Sequence, residues 1–297
     1  TLLPVLYMTG GFDGRPLNAR QRRFGHTVDS YLRLFERLRS EQNDTLHVGC
    51  ALHSLRAVPP EAMATVLAAL PGDTRIHLHI AEQIGEVQDS LAIRGERPVR
   101  WLLDHAEVDA RWTLVHATHL EVDEIVGIAD SGATVALCPT TEANLGDGLF
   151  PLRDYLDAKG AWGIGSDSHI SVSPVEELRW LEYGQRLITK HRNIAATAEC
   201  ASVAEVLLDG VWRSAAQATG FAAESLAADA MTLDGDAPQL VGATREDARD
   251  RWVFSGNRPL VDTVEVNGRV LVQGGAHRDR AAIARRFATT MRGLLAS

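Results

Sequence analysis

The sequence is short of cysteine, of basic charge and of long apolar runs, and each shortage excludes something. Its three cysteines, Cys50, Cys138 and Cys200, are odd in number and far apart. That argues against a disulfide framework or a zinc ribbon and fits a reducing, cytoplasmic setting. Thirty basic residues against 39 acidic ones leave a net charge of −9. A nucleic-acid binder would show the opposite balance, and the short basic cluster of Arg20, Arg22 and Arg23 reads as solvated surface. No apolar stretch approaches the roughly 20 residues that span a bilayer. Internal repeats and low-complexity linkers are also missing. What remains is an ordinary globular composition, 45% apolar and 23% charged over 297 residues, enough for one large domain or a large and a small one.

Short apolar runs alternate with amphipathic ones. Strands are predicted at Leu2–Tyr7, Leu46–Leu52, Arg75–Ile80, Trp112–His116, Ala133–Cys138 and Trp162–Gly165. Helices are predicted at Thr27–Ser40, Pro60–Leu70, Ile84–Arg94 and Val122–Ser131, and from Pro174, where Ser173 can cap and Glu176 and Glu177 fill the first turn. Six strand-then-helix units in succession imply a parallel sheet with right-handed crossovers. A doubly wound sheet and a (β/α)8 barrel both satisfy this alternation. The polar chemistry favours the barrel, because His53, His79, His116 and Asp167 fall at or just after the ends of different strands, and a barrel gathers strand ends at one mouth. The expected fold is therefore an α/β barrel over residues 1–225.

The tail reads differently. Val203–Leu208 and Val211–Ala218 are helical stretches. Strands are predicted at Arg251–Ser255, Thr263–Val266 and Arg269–Gln273, with Asn267-Gly268 as a hairpin turn, and Arg280–Leu295 is a closing helix. Residues 226–297 are expected to form part of a small β-sandwich plus that helix.

The densest chemical signal is His77-Leu-His79-Ile-Ala-Glu82. The two histidines share one side of a strand, and neutral imidazole is a good zinc ligand. An isolated pair of this kind more often packs in a core. Here it has company in Val115-His116-Ala-Thr-His119 and in Gly163-Ile-Gly165-Ser-Asp167-Ser-His169. A carboxylate on a metal can also take the proton of an attacking water.

Histidine at one strand end with glutamate three residues on, histidine at the next and aspartate at a later one resembles the amidohydrolase superfamily. Within it, His53-Ser-Leu-Arg56, His79-Ile-Ala-Glu82-Gln83, Thr141-Glu142-Ala-Asn144-Leu-Gly146-Asp147-Gly148 and Glu176-Glu-Leu-Arg-Trp180 resemble the formiminoglutamate deiminases. The resemblance implies a cytoplasmic, homodimeric hydrolase with one zinc ion, acting on a small anionic amidine and releasing ammonia. It implies zinc ligation by His79 and Asp167, with Asp167 also accepting a proton from water. It implies that Glu82 and His116 shuttle protons or hold the tetrahedral intermediate. His53 would lie against the formimino group, and Arg56 would clamp a substrate carboxylate with its planar fork.

The family draws two more ligands from a His-x-His at the first barrel strand. His77 and His79 follow the His53 segment instead of preceding it, so His79 corresponds to the fifth-strand ligand and Leu2–Tyr7 to the third strand. The expectation is that two βα units and the remaining ligands lie on roughly 100–160 residues before Thr1, or on a second chain. Two alternatives stand beside this reading. One is a related aminohydrolase acting on a purine-type ring, which the 6% aromatic content disfavours. The other is a truncated, non-catalytic chain.

Overall fold

A computed structural model describes residues 1–226 and 228–296. The chain divides into two compact units, Thr1–Phe221 and Ala222–Ser297, against the expected division at 225/226.

The first unit is built on six strands: β1 (Val5–Leu6), β2 (Cys50–Ser54), β3 (Ile76–Ile80), β4 (Trp112–His116), β5 (Thr134–Leu137) and β6 (Ala161–Ile164). They lie in sequential order and every neighbouring pair is parallel. Sequential order is what separates this sheet from a doubly wound one, where the order reverses part-way. The α/β architecture with a parallel sheet is thus present. The sheet is an open run whose edges are β1 and β6.

Local chemistry sets the helices around it: α1 (Val28–Arg39), α2 (Pro60–Ala69), α3 (Ile84–Arg94), α4 (Pro98–His105), α5 (Val122–Ser131), α6 (Pro139–Leu145), α7 (Leu152–Asp157), α8 (Pro174–Thr189) and α9 (Val203–Thr219). Thr27 and Ser30 form a reciprocal capping box at the start of α1. Tyr31 and Phe35, one turn apart, are its buried residues. Ser173 caps α8 as expected, accepting from the Glu176 N–H, with Pro174 in the first turn. The short helices α4, α6 and α7 are absent from the sequence reading. The two helical stretches 203–208 and 211–218 are one helix, α9. Its Gly210 receives the Trp162 indole, where a Cβ would stand 2.6 Å from the ring.

The second unit contains α10 (Ala223–Leu226), β7 (Ala230–Leu233), α11 (Ala248–Phe254), β8 (Val261–Val266), β9 (Arg269–Gln273), β10 (Ala276–His277) and α12 (Arg280–Leu295). Its strands form one antiparallel sheet in the order β10-β9-β8-β7. Asn267 and Gly268 turn the β8–β9 hairpin with φ of 49° and 69°, the left-handed pair such a turn requires. The strand expected at Arg251–Ser255 is instead α11. Asp247 accepts from the Thr244 N–H and pairs with Arg251 one turn on, and Trp252 and Val253 are buried from that helix. Aromatic and β-branched content suggested a strand, and the burial of Trp252 and Val253 in the tertiary structure overrides that propensity. Strands β7 and β10 were not foreseen. Among its described residues this second unit holds that one sheet. No helix among the described residues of the chain is long and apolar enough to cross a membrane.

Candidate metal and catalytic site

Register brings the polar residues together. On β3, Ile76, Leu78 and Ile80 are buried while His77 and His79 alternate with them. His79 pairs across to Ser54 on β2 and to Val115 on β4, one residue before His116. The ends of three adjacent strands therefore present His53, His79 and His116 at nearly the same level. At or just beyond the ends of β3, β4 and β6 the backbone enters the left-handed region at Ala81 (φ 50°), His116 (70°), Ala117 (49°) and Asp167 (39°). Such non-glycine conformations cost about 1–3 kcal/mol each and cluster at functional sites. Here they turn the chain sharply as it leaves the sheet.

His79 is held by its Nδ1, which donates to the His53 carbonyl at 2.6 Å. A carbonyl only accepts, so Nδ1 carries the proton and Nε2 keeps a free lone pair, the arrangement a metal-ligating histidine requires. Burial, the largest influence, depresses the His79 pKa and leaves the ring neutral. His53 packs its ring edge-on against Tyr7 and beside His79, with centroids 4.3 and 5.0 Å apart. Burial, the largest influence, with smaller contributions from the neighbouring His79 and from Arg56, pushes its pKa down to about 3.

His116 is buried at the end of β4. Its Nε2 faces Glu82 Oε1 at 3.6 Å, and its Nδ1 meets Glu142 Oε1 at 3.2 Å. Burial alone would depress its pKa, but the Glu142, Glu82 and Asp167 carboxylates outweigh burial and raise it. Glu82 shifts upward as well, chiefly through desolvation, with Asp147 and Asp167 adding to the effect. One ligand atom each from His79, His116 and Asp167 lies within 4.8 Å of the others. Two imidazoles and a carboxylate converging in this way can hold a divalent metal. The buried His116 Nε2 has no hydrogen-bond partner, as expected of an atom turned toward an external ligand.

Arg56 follows β2. Its charge acts on His53, His79 and Glu82, and it makes no salt bridge to another described residue. The remaining histidines are placed elsewhere. His77 donates from Nε2 to the Ala218 carbonyl at 3.0 Å and stands outside the metal-capable group. His119 hydrogen-bonds through its backbone to Ala81 and Arg97. A cleft of about 650 Å³ between α2 and α4 is lined by none of His53, Arg56, His79, Glu82, His116 or Asp167.

Two carboxylates near the site had no role in the sequence reading. Glu142 was noted only within a motif, and Glu86 not at all. Glu86 Oε2 accepts from the Glu82 N–H at 3.1 Å, and burial pushes its carboxyl up to about 7. A glutamate one helical turn after Glu82 was the available signal.

The sequence profile of the amidohydrolase family matches residues 23–271. The chain belongs to the amidohydrolase family. A formimidoylglutamate deiminase from Pseudomonas aeruginosa is 47% identical over 300 aligned positions, covering 99% of this chain and 66% of the relative. The crystal structure of an amidohydrolase from Brucella melitensis superposes with a TM-score of 0.93 at 42% identity, covering 99% of this chain and 66% of that one. An atrazine chlorohydrolase variant from Arthrobacter aurescens, solved with zinc and atraton, superposes with a TM-score of 0.75 at 25% identity, covering 91% and 60%. This amidohydrolase chain thus spans just under two thirds of the length of its first two relatives. Its histidine and aspartate group lies where the family profile applies.

Proposed function

We propose that this chain belongs to a zinc-dependent hydrolase that converts N-formimino-L-glutamate and water to N-formyl-L-glutamate and ammonia, a step of histidine breakdown. The observation that carries the reading is the 47% identity, over 99% of the chain, to a formimidoylglutamate deiminase. The His79, His116 and Asp167 group supports it from the side of chemistry. In this reading His79 and Asp167 hold the metal. Zinc suits their nitrogen and oxygen donors, and the atrazine chlorohydrolase of this fold is complexed with zinc.

A bound zinc supplies Lewis acidity that makes water nucleophilic at neutral pH. The protein's own groups do the rest. Asp167 accepts the proton that water loses on adding to the formimino carbon. Glu82, whose raised pKa keeps a proton available nearer neutrality, protonates the nitrogen that departs as ammonia. His116, whose pKa the surrounding carboxylates raise, offers Nε2 as a donor in its protonated form to the charge that develops on the reacting carbon's oxygen. The depressed pKa of His53 keeps its ring uncharged beside the cationic amidine. Arg56 receives a glutamate carboxylate. Closure of the sheet into a (β/α)8 barrel, a β-sandwich built on the tail sheet, and a cytoplasmic homodimer belong to the same proposal.

Ammonia release from N-formimino-L-glutamate by the purified, zinc-loaded protein tests it. Turnover that disappears on chelation and returns with zinc is the expected result. A zinc-loaded protein inert toward this compound would overturn the assignment.

A further inference from the structure

We propose that Glu142 is a positioning residue: it holds His116 with the proton on Nδ1 and so reserves Nε2 for the reacting centre. Three observations carry this. Glu142 and His116 are both buried, 4% and 1% exposed, with Glu142 Oε1 3.2 Å from Nδ1. The same oxygen accepts the Cys138 backbone N–H at 2.9 Å. An oxygen that accepts an N–H presents lone pairs, so the ring nitrogen opposite must donate. The other nitrogen, Nε2, is then the atom turned to Glu82 and to the His79–Asp167 pair. It is also the nitrogen of this ring that makes no hydrogen bond within the protein.

The element carrying Glu142 is itself pinned. Helix α6 begins where β5 ends, with Cys138 at its cap and Pro139 in its first turn. Thr140 gives its N–H and hydroxyl to Glu177 of α8 at 2.9 and 2.6 Å. Thr141 Oγ1 meets Ser168 Oγ at 2.9 Å, next to Asp167. Helix α6 therefore ties the His116 ring to the loop that bears Asp167. A glutamate needed only to cap its own helix would bond Cys138 and have no bearing on which nitrogen of His116 carries the proton.

That difference is measurable. The kinetic arm of the test rests on the proposed hydrolase reading, while the spectroscopic arm needs no substrate. Long-range 1H–15N spectra of the histidine-labelled protein, recorded at alkaline pH where the ring is neutral, report the tautomer. The His116 signals are identified by their loss in His116→Gln. The wild type is expected to show the Nδ1–H form. Glu142→Gln, whose side-chain oxygen can accept both bonds, should keep it. Glu142→Leu should shift the ring toward Nε2–H. It should also lower kcat on the order of 10–100-fold, the usual cost of losing such a supporting partner, with KM and zinc content little changed. An Nε2–H ring in the wild type overturns the proposal, even if the leucine variant does not fold. An Nδ1–H ring in Glu142→Leu overturns it equally. A wild type inert toward N-formimino-L-glutamate but with the expected tautomers would fail the substrate assignment and leave the positioning role standing.

Discussion

Replacing Arg97 by methionine should destabilise the first unit far more than the same change at Arg100, three residues along. Arg97 Nε donates to Glu124 Oε2 at 2.8 Å, and the Glu124 side chain is only 1% exposed. Arg97 Nη2 donates to the His119 carbonyl at 2.7 Å, in the loop that leaves the sheet just after His116. Glu124 also accepts the backbone N–H groups of Arg100 and Glu121, so it joins α4, α5 and that loop. Methionine keeps much of the stem's packing and removes the charge. Glu124 is then buried with no cation beside it, a loss of about 3–5 kcal/mol for a fully buried pair. Arg97 is 23% exposed, so solvent screens part of this, and about 2–4 kcal/mol is expected. Arg100 pairs with Asp104, with side chains 37% and 47% exposed, and its loss should cost less than about 1 kcal/mol. Urea denaturation of the two variants beside the wild type measures the difference. Equal losses, or an Arg97 loss below about 0.5 kcal/mol, would show that Glu124 is satisfied by its backbone donors alone.

Three other outcomes follow from the same geometry. His79→Ala and Asp167→Ala should each remove most bound zinc, measured by elemental analysis of the purified protein; full occupancy in both would refute the ligand assignment. Arg56→Lys should lower kcat/KM for N-formimino-L-glutamate by roughly 30- to 1000-fold, because a point charge does not reproduce a bidentate fork. A neutral formamidine should lose little, and equal losses on the two compounds would make Arg56 a structural residue. Glu86 is pushed up from 4.5 to about 7, chiefly by burial. The folded state therefore holds this proton more tightly than the unfolded state, and the contribution to stability is lost as pH rises from about 4.5 through about 7. Glu86→Gln should flatten that part of the stability–pH curve, and an unchanged slope in denaturation between pH 5 and pH 8 would contradict it.

Much of the fold was legible because its signals are local. Strand β4, strand β9 and the helix at Arg280–Leu295 lie where apolar runs and periodicity placed them. The alternation of units implied a parallel sheet before any contact was known. Where the reading went wrong at Arg251–Ser255, aromatic content pointed to a strand, but the tertiary structure buries Trp252 and Val253 from a helix. The short α6 was missed because seven residues carry little periodicity. With it went the part of the site that Glu142 contributes.

By itself, the sequence determined which residue types stand at the strand ends and which family pattern they follow: His53, His79, Glu82, His116 and Asp167 are visible as a spacing. Only the tertiary structure decided how they face one another. The sequential strand order brings His79, His116 and Asp167 within 4.8 Å and sends His77 to the Ala218 carbonyl. The physical reason is that ligation and proton transfer depend on distance, burial and which nitrogen bears a proton. The strand register and hydrogen bonds to residues far along the chain set all three. The His53 carbonyl fixes one ring across 26 positions, and Glu142 meets another across 26 positions of its own.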